Sequence, residues 1–169
     1  MANTAVTGAV TGRHQQVCYI KGGSISDYTL MAVFTEHNEK PGAQTIDKKY
    51  TVNKSKTKTV GSYEWEMGFT GDIIKSDAVM KDFVDIGRTM KVGADCKRTL
   101  CMVDLDEKSG STSGTFYARE LEVSVAVDEF SDNDGEMQCT GTLYAASDIT
   151  EGTFAVSTTT FTAAAGTTE

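Results

Sequence analysis

Proline and histidine are nearly missing from this sequence of 169 residues, which has one proline, Pro41, and two histidines, His14 and His37. Histidine is the side chain most often used for acid–base catalysis and for zinc ligation, and neither of these two lies in a recognisable catalytic setting. The sequence also contains no nucleophile elbow, phosphate-binding loop or dinucleotide fingerprint. It therefore predicts no catalytic residues, no metal site and no cofactor.

Long apolar runs are missing as well. No stretch approaches the roughly 20 residues that a membrane-spanning helix needs. Residues 1–12 are small and mostly polar, without the charged and apolar regions of a secretory signal. We expect a protein that does not insert into membranes and that is assembled in a cytoplasm.

Acidic residues outnumber basic ones: the sequence has 16 Lys and Arg and 24 Asp and Glu, which gives a net charge of -8 and a pI near 4.8. Stable nucleic-acid binding draws its affinity largely from Lys and Arg, so this balance argues against it. An acidic protein can still enclose DNA without gripping it.

Two groups of residues resemble metal or disulfide sites, and each has a simpler interpretation. The four cysteines are scattered without the close pairs of a zinc knuckle, so we expect buried free thiols. An acidic run lacks the central Gly and distant Glu of a calcium loop, so we expect an exposed hairpin turn. These residues are Cys18, Cys96, Cys101 and Cys139 in the first group, and Asp128, Glu129, Asp132, Asn133, Asp134 and Glu136 in the second.

The 24 threonines and 16 glycines favour β structure. Alternating apolar residues and turn signals predict strands over residues 17–20, 28–34, 63–70, 98–106, 114–128, 135–146 and 153–161. One amphipathic helix is expected over residues 77–89, with Ser76 as the cap of its first turn. Residues 35–59 form a long basic excursion containing Lys48, Lys49, Lys54, Lys56 and Lys58. The alternation that starts at Tyr50 and Val52 favours an extended hairpin within it.

The domain organisation follows from where large apolar residues occur. Residues 17–162 form one domain, and residues 1–16 and 163–169 are arms of small residues that need a neighbour to become ordered. Residues 116–128 alternate between two faces. Leu121, Val123 and Val125 belong to an apolar face, while Glu120, Glu122, Ser124 and Ala126 belong to a small, acidic one.

The order of these segments resembles the major tail tube proteins of long-tailed, siphovirus-like bacteriophages. The likeness is carried by two strands, the basic excursion, and four quoted segments. These are SYEWEMGFTGD (62–72), SDAVMKDFVDIGRTM (76–90), YARELEVSVAVDEFSDNDGEMQCTGTLYA (117–145) and EGTFAVS (151–157).

The resemblance implies a mainly β fold, a β-sandwich with barrel-like character and one flanking helix, and no enzymatic activity. It implies hexameric rings that stack into a hollow virion tube for DNA delivery. Glu120, Glu122, Ser124 and Ala126 become candidates for the lumen wall, and the five lysines of residues 35–59 become candidates for contacts between rings. The implied partners are further copies of the chain and tape-measure, tail-tip and tail-terminator proteins, while DNA passes without specific binding.

Three alternatives stay open at this stage. The first is the tube protein of a contractile tail or a bacteriocin-like injection system. The second is a non-tube virion or adhesin β-sandwich module, which would explain the Thr and Gly content but not the single helix after a long basic segment. The third is a small enzyme on a β scaffold, for which no site can be assembled from these residues.

Overall fold

The computed structural model describes residues 10–52, 54–109 and 112–165. Within these residues, eleven β-strands, one α-helix and two short 3-10 turns, Arg13–Gln15 and Gly93–Cys96, are formed. The strands and the helix are β1 (Gln16–Gly22), β2 (Ile25–Leu30), β3 (Phe34–Lys40), β4 (Ala43–Lys48), β5 (Thr57–Tyr63), β6 (Glu66–Asp72), α1 (Ala78–Arg88), β7 (Lys97–Lys108), β8 (Thr115–Asn133), β9 (Glu136–Ala145), β10 (Thr150–Ala155) and β11 (Thr160–Ala163).

Nine strands belong to one antiparallel sheet in the order β2-β1-β7-β8-β9-β6-β3, and β11 joins through β10, which pairs with β8. The remaining two strands, β4 and β5, form a separate hairpin. Strand β8 is 19 residues long and changes partners along its length. Its first part pairs with β7 and β10, and its second part pairs with β9 from Val123 onward.

Apolar residues are buried on both faces of the sheet. Alternate residues of β1 show this, because Cys18 and Ile20 belong to a main core beneath α1 while Tyr19 belongs to a second core around Phe154. The ring of Tyr19 lies 4.6 Å from that of Phe154, measured between centroids. The mainly β fold with one flanking helix, predicted from the sequence, is confirmed.

Helix α1 begins at Ala78, one residue later than the sequence predicts. Asp77, not Ser76, is the cap, and its carboxylate accepts a hydrogen bond from the Met80 amide at 2.8 Å. The helix crosses the main core diagonally. Near its start Met80 packs against Gly71 of β6, and near its end Gly87 packs against β8, where an added methyl group would meet Val127 and Phe130 at 2.8 Å.

A buried ion pair attaches this helix to the sheet. Asp82 of α1 is only 2% exposed and accepts hydrogen bonds from Arg98 Nε at 2.7 Å and Nη2 at 3.0 Å. The Ser24 hydroxyl donates a third, at 2.7 Å. Arg98 Nη1 donates to the carbonyls of Asp95 and Lys97, so the guanidinium is well satisfied.

The basic excursion differs from its predicted bounds. Residues 35–40 belong to β3 of the main sheet, and the excursion proper is the β4–β5 hairpin, which extends to Tyr63. Tyr63, at the start of the predicted strand over residues 63–70, therefore belongs to the hairpin, and its side chain is 65% exposed. Trp65, Met67 and Phe69 are buried.

The arms fall partly outside the described residues, because residues 1–9 and 166–169 lie beyond them. Of the predicted N-terminal arm, residues 13–15 form a 3-10 turn and Gln16 already belongs to β1. Of the C-terminal arm, Ala163 ends β11 and the Ala164 amide donates to the Glu151 carbonyl at 2.9 Å.

We predict that Asp82→Asn lowers the free energy of unfolding by about 3–5 kcal/mol, because it leaves the buried Arg98 charge without its counter-ion. Asp85→Asn is the matched control, since Asp85 lies on the exposed side of the same helix and pairs with Lys91 at 2.5 Å. We expect a loss below about 1 kcal/mol for the control. Urea denaturation of both variants measures the difference, and equal losses would contradict a stabilising role for the buried pair.

Candidate assembly surfaces

Four strands form a distinct part of the sheet, in the order β8-β9-β6-β3, with β8 contributing its second half. In the described part of the chain, β3 pairs only with β6, and β8 has no partner on its other side beyond Ser124. The four-stranded part therefore ends in two free edges. Free edges expose backbone donors and acceptors that can pair with another chain.

One face of this four-stranded part is open, because α1 covers the opposite face. We call it the open face. Three rows of paired residues cross it: the first is Ser124, Tyr144, Glu66 and Lys40, the second is Ala126, Thr142, Gly68 and Asn38, and the third is Glu129, Thr140, Thr70 and Glu36. None of these twelve residues is buried.

The four residues predicted for the lumen wall are only partly brought together. Ser124 and Ala126 lie on the open face, and Glu122 continues the same row of alternate residues toward β7. The Glu120 carboxylate instead accepts a hydrogen bond from the Tyr28 hydroxyl, at the margin of the second core. That contact and burial raise the pKa of Tyr28, with burial the larger cause.

The charges beside these residues are paired. Lys97 Nζ lies 3.1 Å from the Glu122 carboxylate, and Lys40 Nζ lies 3.0 Å from that of Glu66. Of the acids that the sequence pattern singles out, Glu122 is thus paired with a lysine, whereas Glu129 and Glu36 on the same face form no ion pair among the described residues. The open face is polar, and its unpaired charge is acidic.

The β4–β5 hairpin leaves the sheet between β3 and β6 and is exposed at every residue of its two strands. Its apolar residues Ile46 and Val60 are 51% and 47% exposed. A two-stranded hairpin is marginally stable by itself in water. The five lysines predicted for inter-ring contact, Lys48, Lys49, Lys54, Lys56 and Lys58, are all exposed on it.

The acidic run forms the β8–β9 turn, as the sequence predicted. Asp134 and Gly135 have positive φ angles, and the Gly135 amide donates to Asp132 at 2.7 Å. This turn lies at one end of the four-stranded part, and the basic hairpin leaves from the other end. Among the described residues, no group of three His, Cys, Asp or Glu side chains is arranged to hold a metal ion.

A polar cluster closes the main core near the base of the hairpin. Arg119 binds Glu39 through two hydrogen bonds of 2.9 and 3.2 Å, and the Trp65 indole donates to the same carboxylate at 2.7 Å. Burial opposes ionisation of Glu39, but these hydrogen bonds outweigh it and lower its pKa. This pairing explains how Arg119 lies on the same side of β8 as the apolar Leu121 and Val123.

His37 is a partly buried residue. It lies on β3, its ring centroid is 5.3 Å from that of Phe34, and its Nε2 atom is buried without a hydrogen-bond partner in the described part of the chain. Burial, and then the charge of Arg13, lower its pKa from 6.5 to about 4.

The four cysteines are buried free thiols that form no disulfide. Burial raises the pKa of the Cys18 thiol to about 12.

Sequence reasoning missed the two free edges and the burial of His37. The alternation of residues 34–40 is weak, since Phe34, His37 and Glu39 are separated by polar residues and a bulge between Phe34 and Glu36. The only available signal was the aromatic and apolar run that leads into Phe34.

The fold is that of phage tail tube proteins, which confirms the resemblance at the level of fold. The SPP1 tail tube superposes with a TM-score of 0.64 at 13% identity, covering 83% of this chain and 77% of that one. The tail of an empty GTA particle, refined with C6 symmetry, gives 0.61 at 11% identity, covering 91% and 100%. The PVC sheath/tube terminator of an extracellular contractile injection system gives 0.57 at 8% identity, covering 86% and 99%.

No protein-family model matches the chain, and no curated protein matches it by sequence. Among the described residues, no helix is long and apolar enough to cross a membrane.

We predict that His37 makes stability depend on pH. Its pKa is about 4 in the folded chain and 6.5 ordinarily, so the unfolded state takes up the proton first as the pH falls. Stability attributable to His37 is then lost between about pH 6.5 and 4. In His37→Phe, which keeps an aromatic ring beside Phe34, this loss should disappear. Urea titrations of both proteins at several pH values test it, and parallel pH profiles would contradict the burial of His37.

Proposed function

We propose that this protein is a non-enzymatic structural subunit of a phage tail tube, and that its copies form hexameric rings that stack into a hollow conduit for DNA. The observation that carries the proposal is the four-stranded part of the sheet, which has a polar open face and two free edges. Such a sheet is incomplete in one copy and suited to continuation by the next.

The direction of the strands favours a closed ring. The four strands alternate in direction, so β8 and β3 run in opposite directions at the two edges. When copies are related by rotation, β3 of one copy meets β8 of the next as an antiparallel pair. Every junction is then alike, and closure removes all of these edges. Six-fold rings are supported by the C6 symmetry of the GTA tail and by the six-fold symmetry of the anti-feeding prophage baseplate, to which this chain is similar with a TM-score of 0.50.

In this ring the open face lines the lumen, with α1 outside. Ser124, Ala126 and Glu122 contribute to the wall, and Glu120 lies at its margin, held by Tyr28. DNA has a high density of phosphate charge, so a wall without unpaired lysines does not retain it. Lys97 and Lys40 are each paired with an acid, so neither is a free cation on the wall.

Stacking between rings is assigned to the two ends of the four-stranded part. The exposed lysines of the β4–β5 hairpin lie at one end, and the exposed acids of the β8–β9 turn, including Asp132 and Asp134, lie at the other. Rings stacked in one direction bring opposite charges together, and contact with the next ring gives the hairpin the packing partner that it lacks.

The remaining partners follow from this role. Tape-measure, tail-tip and tail-terminator proteins would meet the tube inside and at its two ends, and the arms, residues 1–16 and 163–169, would tie neighbouring copies together. The protein would be a component of the virion, assembled in the host cytoplasm.

A contractile tail or injection system is the second candidate, because the similar structures include the PVC terminator. The same ring serves both systems. A contractile tube must also bind a sheath on its α1 side, so binding of a sheath protein to assembled tubes would favour this candidate.

Electron microscopy of the purified protein over a range of concentrations tests the proposal. We expect rings and hollow tubes whose class averages have six-fold symmetry. Analytical ultracentrifugation gives the matching result in solution, with a large assembly in equilibrium with the subunit. A monomer at every concentration would contradict the proposal.

The lumen assignment predicts that Ser124→Lys combined with Ala126→Lys leaves tubes intact but makes them retain short duplex DNA. Added positive charge attracts phosphate over a Debye length of about 10 Å at 0.1 M salt. Ser124→Gln with Ala126→Gln is the control for side-chain size. Cosedimentation of tubes with labelled DNA measures retention. Equal retention by the lysine and glutamine variants would remove these residues from the lumen wall.

The stacking assignment predicts that shortening the hairpin yields rings without tubes. Residues 48–57 are replaced by Asn-Gly, which favours a tight two-residue turn. We expect the subunit to fold with unchanged stability, since the hairpin is exposed throughout. As a milder variant, Lys54, Lys56 and Lys58 are changed to Glu. Tubes of normal length from both variants would exclude the hairpin from stacking.

A further inference from the structure

The segment after α1 projects apolar side chains beyond the free edge of β8. Because α1 crosses the core from β6 toward β8, its last turn lies over Val127, and the chain then turns outward. Met90 and Val92 follow, 82% and 78% exposed. Met90 has a φ angle of 50°, a conformation that is uncommon for a non-glycine residue. The amide of Lys91 donates to the Ile86 carbonyl at 3.1 Å, so this turn is held in place by the helix.

A cavity lies beside the other free edge. It has a volume of about 640 Å³ and lies between the start of β1, the β2–β3 connection and β3. Val17, Ala32 and Phe34 contribute apolar surface to its wall. His37 also lines it, with its Nε2 atom buried and unpartnered among the described residues. Polar residues, among them Arg13, Gln16 and Glu36, form the rest of the wall. A partly apolar cavity with an unsatisfied buried nitrogen is an incomplete environment in a single copy.

The register of the sheet relates the two features. Val127, Gly141, Phe69 and His37 form one row across the four strands. Met90 lies beside β8 around Val125–Val127, since these residues share a groove. The projecting segment at one edge and the cavity at the other are thus at similar heights and on the same, helix-bearing side of the sheet.

We propose that Met90 and Val92 of one copy pack into the cavity beside β3 of the next copy in the ring. This proposal rests on the ring proposed above, and it adds a second contact outside the strand pairing. In a ring, the end of α1 that extends past the β8 edge of one copy would lie over β3 of the next copy. The occupant is a second copy, because the same chain presents both the projecting side chains and the cavity in the positions that rotation about a ring axis would join.

A disulfide between copies tests the contact directly. The variant combines Met90→Cys with Ala32→Cys, at the exposed rim of the cavity, in a Cys18→Ala, Cys96→Ser background, because Cys18 lines the cavity and Cys96 lines the groove beside Met90. After mild oxidation of assembled rings, we expect a ladder of covalent oligomers on non-reducing gels that ends at the closed ring. The two variants that carry only one of the added cysteines in the same background should give no ladder. Intact rings of the double variant without any ladder would overturn the proposal.

A second measurement does not depend on engineered cysteines. Met90→Ser with Val92→Ser alters only exposed side chains, so the subunit should keep its stability to urea, while the concentration for half-assembly of rings should rise by about tenfold or more. Ile149→Ser, also at an exposed apolar residue, is the control and should leave assembly unchanged. Assembly of the double serine variant at the wild-type concentration would overturn the contact and leave the ring standing. Absence of rings from the wild-type protein would overturn both.

Discussion

The need of a β-strand for hydrogen-bond partners on both sides governs this structure. Strand β8 satisfies that need along its first part, between β7 and β10, but beyond Ser124 it has β9 on one side only. Strand β3 has the same deficit at the opposite edge. An exposed pair of edges invites uncontrolled aggregation unless another chain meets them in a defined way. Ring closure by identical copies is a defined way, and the open face, the paired charges and the overhanging helix end are all consistent with it.

The buried ion pair between Asp82 and Arg98 supports this arrangement from within the subunit. It fixes α1 to the start of β7 and, through Ser24, to the β1–β2 turn. Gly23 is required there, since an added methyl group would lie 2.3 Å from the Arg98 guanidinium. A buried pair of this kind adds less to stability than its contacts suggest, because both charges lose their hydration. Its effect is positional, since it determines where the helix ends and so where Met90 and Val92 project.

Much of the fold was accessible from the sequence, because it rests on local patterns. Leu121, Val123 and Val125 alternate with polar residues, and Val79, Met80 and Phe83 recur at helical spacing, so β8 and α1 were both predicted. The bounds of α1 were close, whereas β8 continues past the predicted end at Asp128 to Asn133. The strand at residues 34–40 and the buried Asp82 were not predicted. Each depends on a partner distant in sequence: Asp82 is buried because Arg98 meets it, and β3 is a strand because β6 pairs with it. The cap was placed one residue early, because Ser76 and Asp77 are both residue types that cap helices. The candidate assembly surfaces differ in the same way. The exposed lysines of the hairpin could be predicted from local sequence, whereas the free edges of β3 and β8 depend on which strands pair.

Hydrogen exchange of the subunit and of assembled tubes tests the central claim most directly. The amides of β3 and of β8 beyond Ser124 that point to the free edges should exchange quickly in the subunit and become protected in tubes. Strands β1 and β7, which already have partners on both sides, provide the internal comparison. Protection gained in β3 and the second half of β8, with little change in β1 and β7, is the predicted result. Intact tubes in which β3 and β8 exchange as fast as in the subunit would contradict a sheet that continues from copy to copy.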